Sequence, residues 1–156
     1  MTALIVCILL IAADQLTKLA AVGMLKKVGC VKIINGFFSL TYLENGGAAF
    51  GMLEGARWLF LMITIAITVL AVVYYIKMEK NKNNLWLRCA IVMIVAGAMG
   101  NAIDRLFRGY VVDFFDFIIF GYNFPVFNVA DILVVLGTAL LAGGIILFDE
   151  KREEKA

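Results

Sequence analysis

The run Gly97-Ala-Met-Gly100-Asn101-Ala-Ile-Asp104-Arg105, followed by Val111-Val-Asp113-Phe114 and Phe127-Asn128-Val-Ala-Asp131, decides how the chain is read. It sets three carboxylates, two carboxamides and an arginine against apolar helix ends. Around it lie 156 residues that are 63% hydrophobic, with one proline and a mean hydropathy of +0.97. Ionisable groups in such surroundings are costly and mark function by default.

Working outward, the apolar share exceeds the rough half of a soluble domain. Windows of roughly 20 apolar residues, the length that crosses a hydrocarbon core, fall near 3–22, 58–76, 85–103 and 129–148. The expected fold is an all-α membrane bundle of four transmembrane helices in a single domain, 1–156. Asp14 and Lys18 interrupt the first window and no basic residue precedes it, so it reads as a retained helix and not a cleaved leader. Acid before base at a spacing of four predicts an ion pair on one helix face. That pair either neutralises itself near the membrane surface or also fixes a neighbouring active loop.

Two connecting segments, about 24–55 and 104–128, have another character. Val31–Ile34 and Phe37–Leu43 are rich in branched and aromatic residues and flank Asn35-Gly36, which predicts a hairpin and a small sheet outside the bilayer. The next stretch, Asn45-Gly-Gly-Ala-Ala-Phe50, leaves room for close approach by another backbone, with the Asn45 amide beside a groove. Residues 107–127, broken by Gly109, Gly121 and Pro125, are too interrupted to span and aromatic enough to lie on the membrane surface. If Val111–Phe117 is extended, Asp113 and Asp116 face opposite ways. Gly97 and Gly100 thin their helix for a close neighbour. The short basic loop at 77–84, with Arg88, is cytoplasmic by the positive-inside rule, which places both termini inside and 24–55 and 104–128 outside.

Absence of histidine removes Ser-His-Asp and Cys-His catalysis, and Cys7, Cys30 and Cys89 have neither disulfide nor metal-ligand spacing. No metal and no cofactor is expected. A net charge of +2 is too small and dispersed for nucleic acid. Acid–base chemistry must then use carboxylates. Two carboxylates within about 3 Å cannot both ionise readily, so the pair holds one proton near neutral pH. Asp113 and Asp131 are far enough apart in sequence for a loop to fold one over the other, although spacing alone does not require it. Such a pair activates a water by general base action while its protonated member bonds the scissile carbonyl, with Asn and Arg donors stabilising the charge that develops.

The ordered set Asp14-Gln-Leu-Thr-Lys18, Asn45-Gly-Gly-Ala-Ala-Phe50, Gly97–Arg105, Val112-Asp113-Phe114 and Phe127–Asp131 resembles the bacterial lipoprotein signal peptidases, or signal peptidase II. Each block is weak alone, but five in this order are highly specific. The resemblance implies an extracytoplasmic β-sheet cradle, an aspartic-protease mechanism with Asp113 and Asp131 as the catalytic pair, and a multi-pass protein of the bacterial cytoplasmic membrane. Asn45, Asn101, Asp104, Arg105 and Asn128 match residues that line or support the site, and Asp14 and Lys18 match the helix-one pair. The implied substrate is a prolipoprotein carrying diacylglycerol on its lipobox cysteine, cut just before that residue; the expected partners are that substrate and membrane lipids, with the protein a monomer. Ala96 departs from the second glycine often found there, which touches packing more than chemistry.

Gly46–Ala49, Phe50, Phe114 and Tyr122 are the expected groove wall. A proton-coupled carrier would put its acids near helix centres and carry an internal repeat, and here the acids gather at one end with no repeat. A non-catalytic scaffold would use the polar cluster only to join helices. Presenilin-type and prepilin-type aspartyl proteases carry a Gly-x-Gly-Asp motif that this chain lacks.

Overall fold

A computed structural model describes residues 1–47, 55–79 and 84–153. The elements are α1 (Thr2–Leu25), β1 (Cys30–Ile34), β2 (Phe38–Asn45), α2 (Arg57–Lys77), α3 (Leu85–Phe107), β3 (Val111–Ile119), β4 (Tyr122–Asn123) and α4 (Val129–Glu153). Among the described residues α1, α2 and α3 are long and apolar enough to cross a membrane, and α4 carries a shorter apolar run, Val129–Gly144. Helices suit that solvent because they satisfy their backbone polar groups internally. The outward surfaces are correspondingly apolar: Leu4, Leu9, Leu16 and Leu19 on α1 and Met62, Ile65, Val69 and Leu70 on α2 are exposed.

α3 is the hub, packing on α1, α2, α4 and β3. Its contact with α4 is a backbone contact made by glycines. A Cβ at Gly97 would collide with the carbonyl oxygen of Ala130, and one at Gly137 would meet the Ala90 carbonyl at 2.9 Å. Gly100 does the same for α1, where a Cβ would sit 2.5 Å from the Asp14 carboxylate. Small residues let helices approach when lipid supplies no hydrophobic drive between them. α3 runs to Phe107, past the expected limit at 103, because Asp104 and Arg105 find partners within the protein. It stops at Gly109, whose φ of 86° is the left-handed conformation that ends helices.

The sheet has the antiparallel order β1-β2-β3-β4. Asn35-Gly36 turns the first hairpin, with Ile34 opposite Phe38 and Gly36 at φ 73°. The sheet is wider than that hairpin. The segment expected to lie on a membrane surface contains β3, a nine-residue strand whose first four residues, Val111–Phe114, are buried. Val112 and Phe114 point to one side and pack on Ala21 and Leu25 of α1. Asp113, by strand alternation, points to the other. Rings of Phe38 and Phe117 stack at 4.5 Å, and Phe117 stacks on Phe127 at 5.8 Å. Phe127 also bonds Phe115 through N–H and carbonyl, at 3.1 and 2.8 Å, which clips the approach to α4 onto β3.

Candidate active site

Where β2, β3, α3 and α4 meet, a cavity of about 630 Å³ is lined by Asn45, Gly47, Asn101, Arg105, Asp113, Asp131, Tyr122 and Phe124, with Ile132, Val135 and Leu136 behind them. Both expected aspartates are therefore in one cavity. Asp113 sits on β3 and is almost wholly buried; Asp131 sits in the first turn of α4 and is half-buried.

Asn128 and Asp131 start α4 with a reciprocal cap. The Asp131 N–H donates to Asn128 Oδ1 at 3.0 Å, and the Asn128 N–H donates to Asp131 Oδ2 at 3.0 Å. This is the logic of a capping box. It uses one side-chain atom of each residue and leaves the other free for the site.

Every carboxylate oxygen of the pair receives a donor. Asp113 Oδ1 accepts from Asn128 Nδ2 at 2.6 Å and Oδ2 from Asn45 Nδ2 at 2.9 Å. Asp131 Oδ1 accepts from Asn101 Nδ2 at 2.7 Å, and its Oδ2 takes the Asn128 N–H. The three amides cannot turn round, because a donor holds each amide oxygen. Asn45 Oδ1 accepts the Gly47 N–H at 3.0 Å, Asn128 Oδ1 the Asp131 N–H, and Asn101 Oδ1 the Lys18 ammonium at 2.8 Å and the Asn128 amide at 3.2 Å. Carboxylates are acceptors and ammonium groups only donors, so this pattern is self-consistent.

Burial pushes Asp113 up to about 6, with the Asp131 charge acting the same way, while the amides of Asn45 and Asn128 and the charge of Lys18 hold it down. An acid that desolvation and a like neighbour leave near neutrality is suited to proton transfer.

Behind the pair lies a buried ionic cluster. Lys18 Nζ is 2.9 Å from Asp14 Oδ2 and 3.2 Å from Asp104 Oδ2, and all three side chains are fully enclosed. Asp14 Oδ1 accepts the Ala130 N–H at 2.9 Å, and Asp104 Oδ2 accepts the Val112 N–H at 3.1 Å. Arg108 pairs with Asp104 Oδ1, and the Gln15 amide reaches Asp14 at 3.1 Å. The helix-one pair thus does more than neutralise itself: it ties α1 to the start of α4 and to α3, where Asp104 in turn holds β3. Arg105 donates to the Gly47 carbonyl at 3.1 Å and lies 4.7 Å over the Phe60 ring, facing both acids of the pair.

The groove wall differs from expectation. Tyr122 and Gly47 line the cavity, whereas Phe114 is in the core beneath the sheet, because the alternation that aims Asp113 inward aims its neighbour away. Ala48, Ala49 and Phe50 lie outside the described residues. Sequence reading missed Ile132, Val135 and Leu136, which follow Asp131 at helical spacing on its own face. It also missed Gln15, and it missed Arg108 although Asp104 and Arg108 have the same acid-before-base spacing of four as Asp14 and Lys18. Asp116 stays out of the site and accepts from Thr41 Oγ1 at 2.7 Å. Among the described residues no three acid or cysteine side chains converge as metal ligands.

A family model described as Signal peptidase (SPase) II matches residues 6–147. A lipoprotein signal peptidase of Clostridioides difficile is 42% identical over 149 residues, covering 95% of this chain and 97% of that protein. One of Clostridium acetobutylicum is 43% identical, covering 93% and 94%. A solved structure described as a bacterial membrane enzyme superposes with a TM-score of 0.82 at 36% identity, covering 99% of this chain and 92% of that one. A second with the same description gives 0.81 at 38% identity, covering 92% of each.

Proposed function

The chain belongs to the signal peptidase II family, and from that premise we propose that it is an aspartic endopeptidase of the bacterial cytoplasmic membrane. It removes the signal peptide from diacylglyceryl-modified prolipoproteins, cutting just before the lipidated cysteine. The observation that carries this reading is the Asp113–Asp131 pair, gathered in one apolar cavity with a donor on each carboxylate oxygen.

In the proposed mechanism Asp113, held up by burial and the neighbouring charge, begins protonated and Asp131 acts as the base. Asp131 takes a proton from a water held between them, and the hydroxide oxygen bonds the scissile carbonyl carbon. Asp113 gives its proton to the carbonyl oxygen, forming a neutral tetrahedral diol. Asp131 then returns its proton to the leaving nitrogen as the C–N bond breaks, while Asp113 recovers one from the diol. Arg105 and the amides need not move, which is how preorganised donors lower a barrier. The exposed apolar face of Val135 and Leu136 offers a path for acyl chains to stay in lipid while the peptide enters from the side. The deciding experiment incubates detergent-purified protein with matched lipidated and unlipidated precursors and weighs the products. Cleavage of the lipidated form alone, at the bond just before the modified cysteine, is expected; equal cleavage of both, or of neither, removes the reading.

The rate should depend on pH on both sides. Above about 6 Asp113 in the free protein gives up the proton it must supply, so kcat/KM falls with rising pH. On the acid side the rate falls because the mechanism needs one carboxylate of the pair ionised. A flat profile with chemistry limiting would exclude the shared-proton mechanism.

All four helices cross the membrane in this reading, the protein works as a monomer among membrane lipids, and the sheet and the acids lie outside with both termini in the cytoplasm. A single cysteine introduced at Asn123, in a background with the native cysteines replaced, should react with an impermeant thiol reagent from outside intact cells. Reaction only after the inner face is opened would reverse the topology.

A further inference from the structure

Lys18 is wholly enclosed, yet it spends only part of its hydrogen-bonding capacity on acids. Its ammonium has three protons, and the three oxygens around it belong to Asp14 at 2.9 Å, Asp104 at 3.2 Å and Asn101 at 2.8 Å. The two acids and Arg108 settle the charges of the cluster, and the third proton of the ammonium needs one more acceptor. That acceptor belongs to the amide that touches Asp131.

The consequence follows from donor and acceptor chemistry. Asn101 carries one acceptor atom and one donor group. With Oδ1 against a group that only donates, Nδ2 has to face the other way, where it donates to Asp131 Oδ1 at 2.7 Å. Were Lys18 absent, only the longer bond from Asn128 would hold Oδ1 on its side, and the amide would turn more easily. Oδ1 would then face the Asp131 carboxylate, and the Asn128 amide, now bonded to Oδ1 at 3.2 Å, would be left with Asp113 as its one acceptor. Asn128 in turn holds Asp113, so one rotation disturbs both acids.

We infer that Lys18 is a positioning residue: acting from α1 through Asn101, it fixes the amide that holds Asp131 as an acceptor and so keeps the water-activating carboxylate in register. The inference rests on the peptidase reading but concerns a residue that touches neither substrate nor water. It gives α1, which lines none of the cavity, a part in the chemistry.

The test needs a variant that removes the ammonium without stranding a buried charge. Lys18→Met combined with Asp14→Asn keeps the net charge of the cluster, leaves Asp104 with Arg108, and leaves the residue-14 oxygen to accept from Ala130. Asn101→Leu removes the relay itself while Lys18 keeps both acids. Turnover of a lipidated precursor is measured for wild type, the Lys18 pair variant, Asn101→Leu and the combination.

The expected results are a kcat lowered roughly ten- to a hundredfold in the Lys18 pair variant, the usual size for losing an orienting bond behind a reactive group, and a KM little changed. The same loss should appear in Asn101→Leu, and the combination should be no worse than Asn101→Leu alone, since residues acting in series are not additive. Losses that multiply, or a kcat within twofold of wild type in the Lys18 pair variant, overturn the inference. A readout independent of turnover is the exchange of the Asn101 side-chain amide protons, assigned by their disappearance in Asn101→Leu. They should exchange slowly in wild type and fast in the Lys18 pair variant. Unchanged protection refutes the positioning role whatever the activity. Lost protection in a protein that cleaves no precursor even as wild type sustains the role and removes the peptidase reading instead.

Discussion

Asp113→Asn and Asp131→Asn should each leave a folded, membrane-inserted protein whose turnover is lower by at least about 10³-fold, the upper part of the range for losing a proton-transferring group. The two substitutions preserve shape and remove titration. Each amide does add a mismatch. Asparagine at 113 meets the Asn45 and Asn128 donors with a single acceptor oxygen. One donor is then unpaired at a cost of about 1–3 kcal/mol, visible as a lower melting temperature but not as unfolding. The double variant should be no slower than either single one, because groups that move the same proton act as a unit. Turnover within tenfold of wild type for either variant, with product at the same peptide bond, would show that the proton travels by another route.

Much of this site was legible in the sequence, and the reason is chemical. Asn45, Asn101, Asp104, Asp113, Asn128 and Asp131 are polar residues at element ends in a chain otherwise adapted to lipid, so each stood out against its neighbours. Asn35-Gly36 fixed a hairpin locally, as turn chemistry does. What the sequence could not show was pairing at long range. β3 joins β2 through contacts between residues such as Phe38 and Phe117, and no local pattern reports that partnership. Val111-Val-Asp113-Phe114 reads as a continuous run, so the side on which Phe114 would lie depended on α1 being packed against β3. The end of α3 was set too early for the same reason. Asp104 and Arg105 look like residues leaving a membrane until Lys18, Arg108 and the Gly47 carbonyl are seen to receive them.

Lys18→Met alone should cost about 3–5 kcal/mol of stability, the usual penalty for removing one partner of a buried ion pair. Asp14 and Asp104 would remain enclosed with the ammonium gone from between them. Asp104 keeps Arg108 and the Val112 N–H, and Asp14 keeps only neutral donors, Ala130 N–H and the Gln15 amide. The imbalance therefore falls mainly on Asp14, and adding Asp14→Asn to Lys18→Met should recover most of the loss. Adding Asp104→Asn instead should recover less, because it leaves Arg108 unpaired. Thermal unfolding in detergent reads the order directly. If Lys18→Met melts within a degree or two of wild type, or if the Asp14 and Asp104 changes rescue it equally, the charge at position 18 is not what holds α1 to α3 and α4. The close approach at Gly100 and the apolar contacts of Ala21 and Leu25 would then carry the packing of α1.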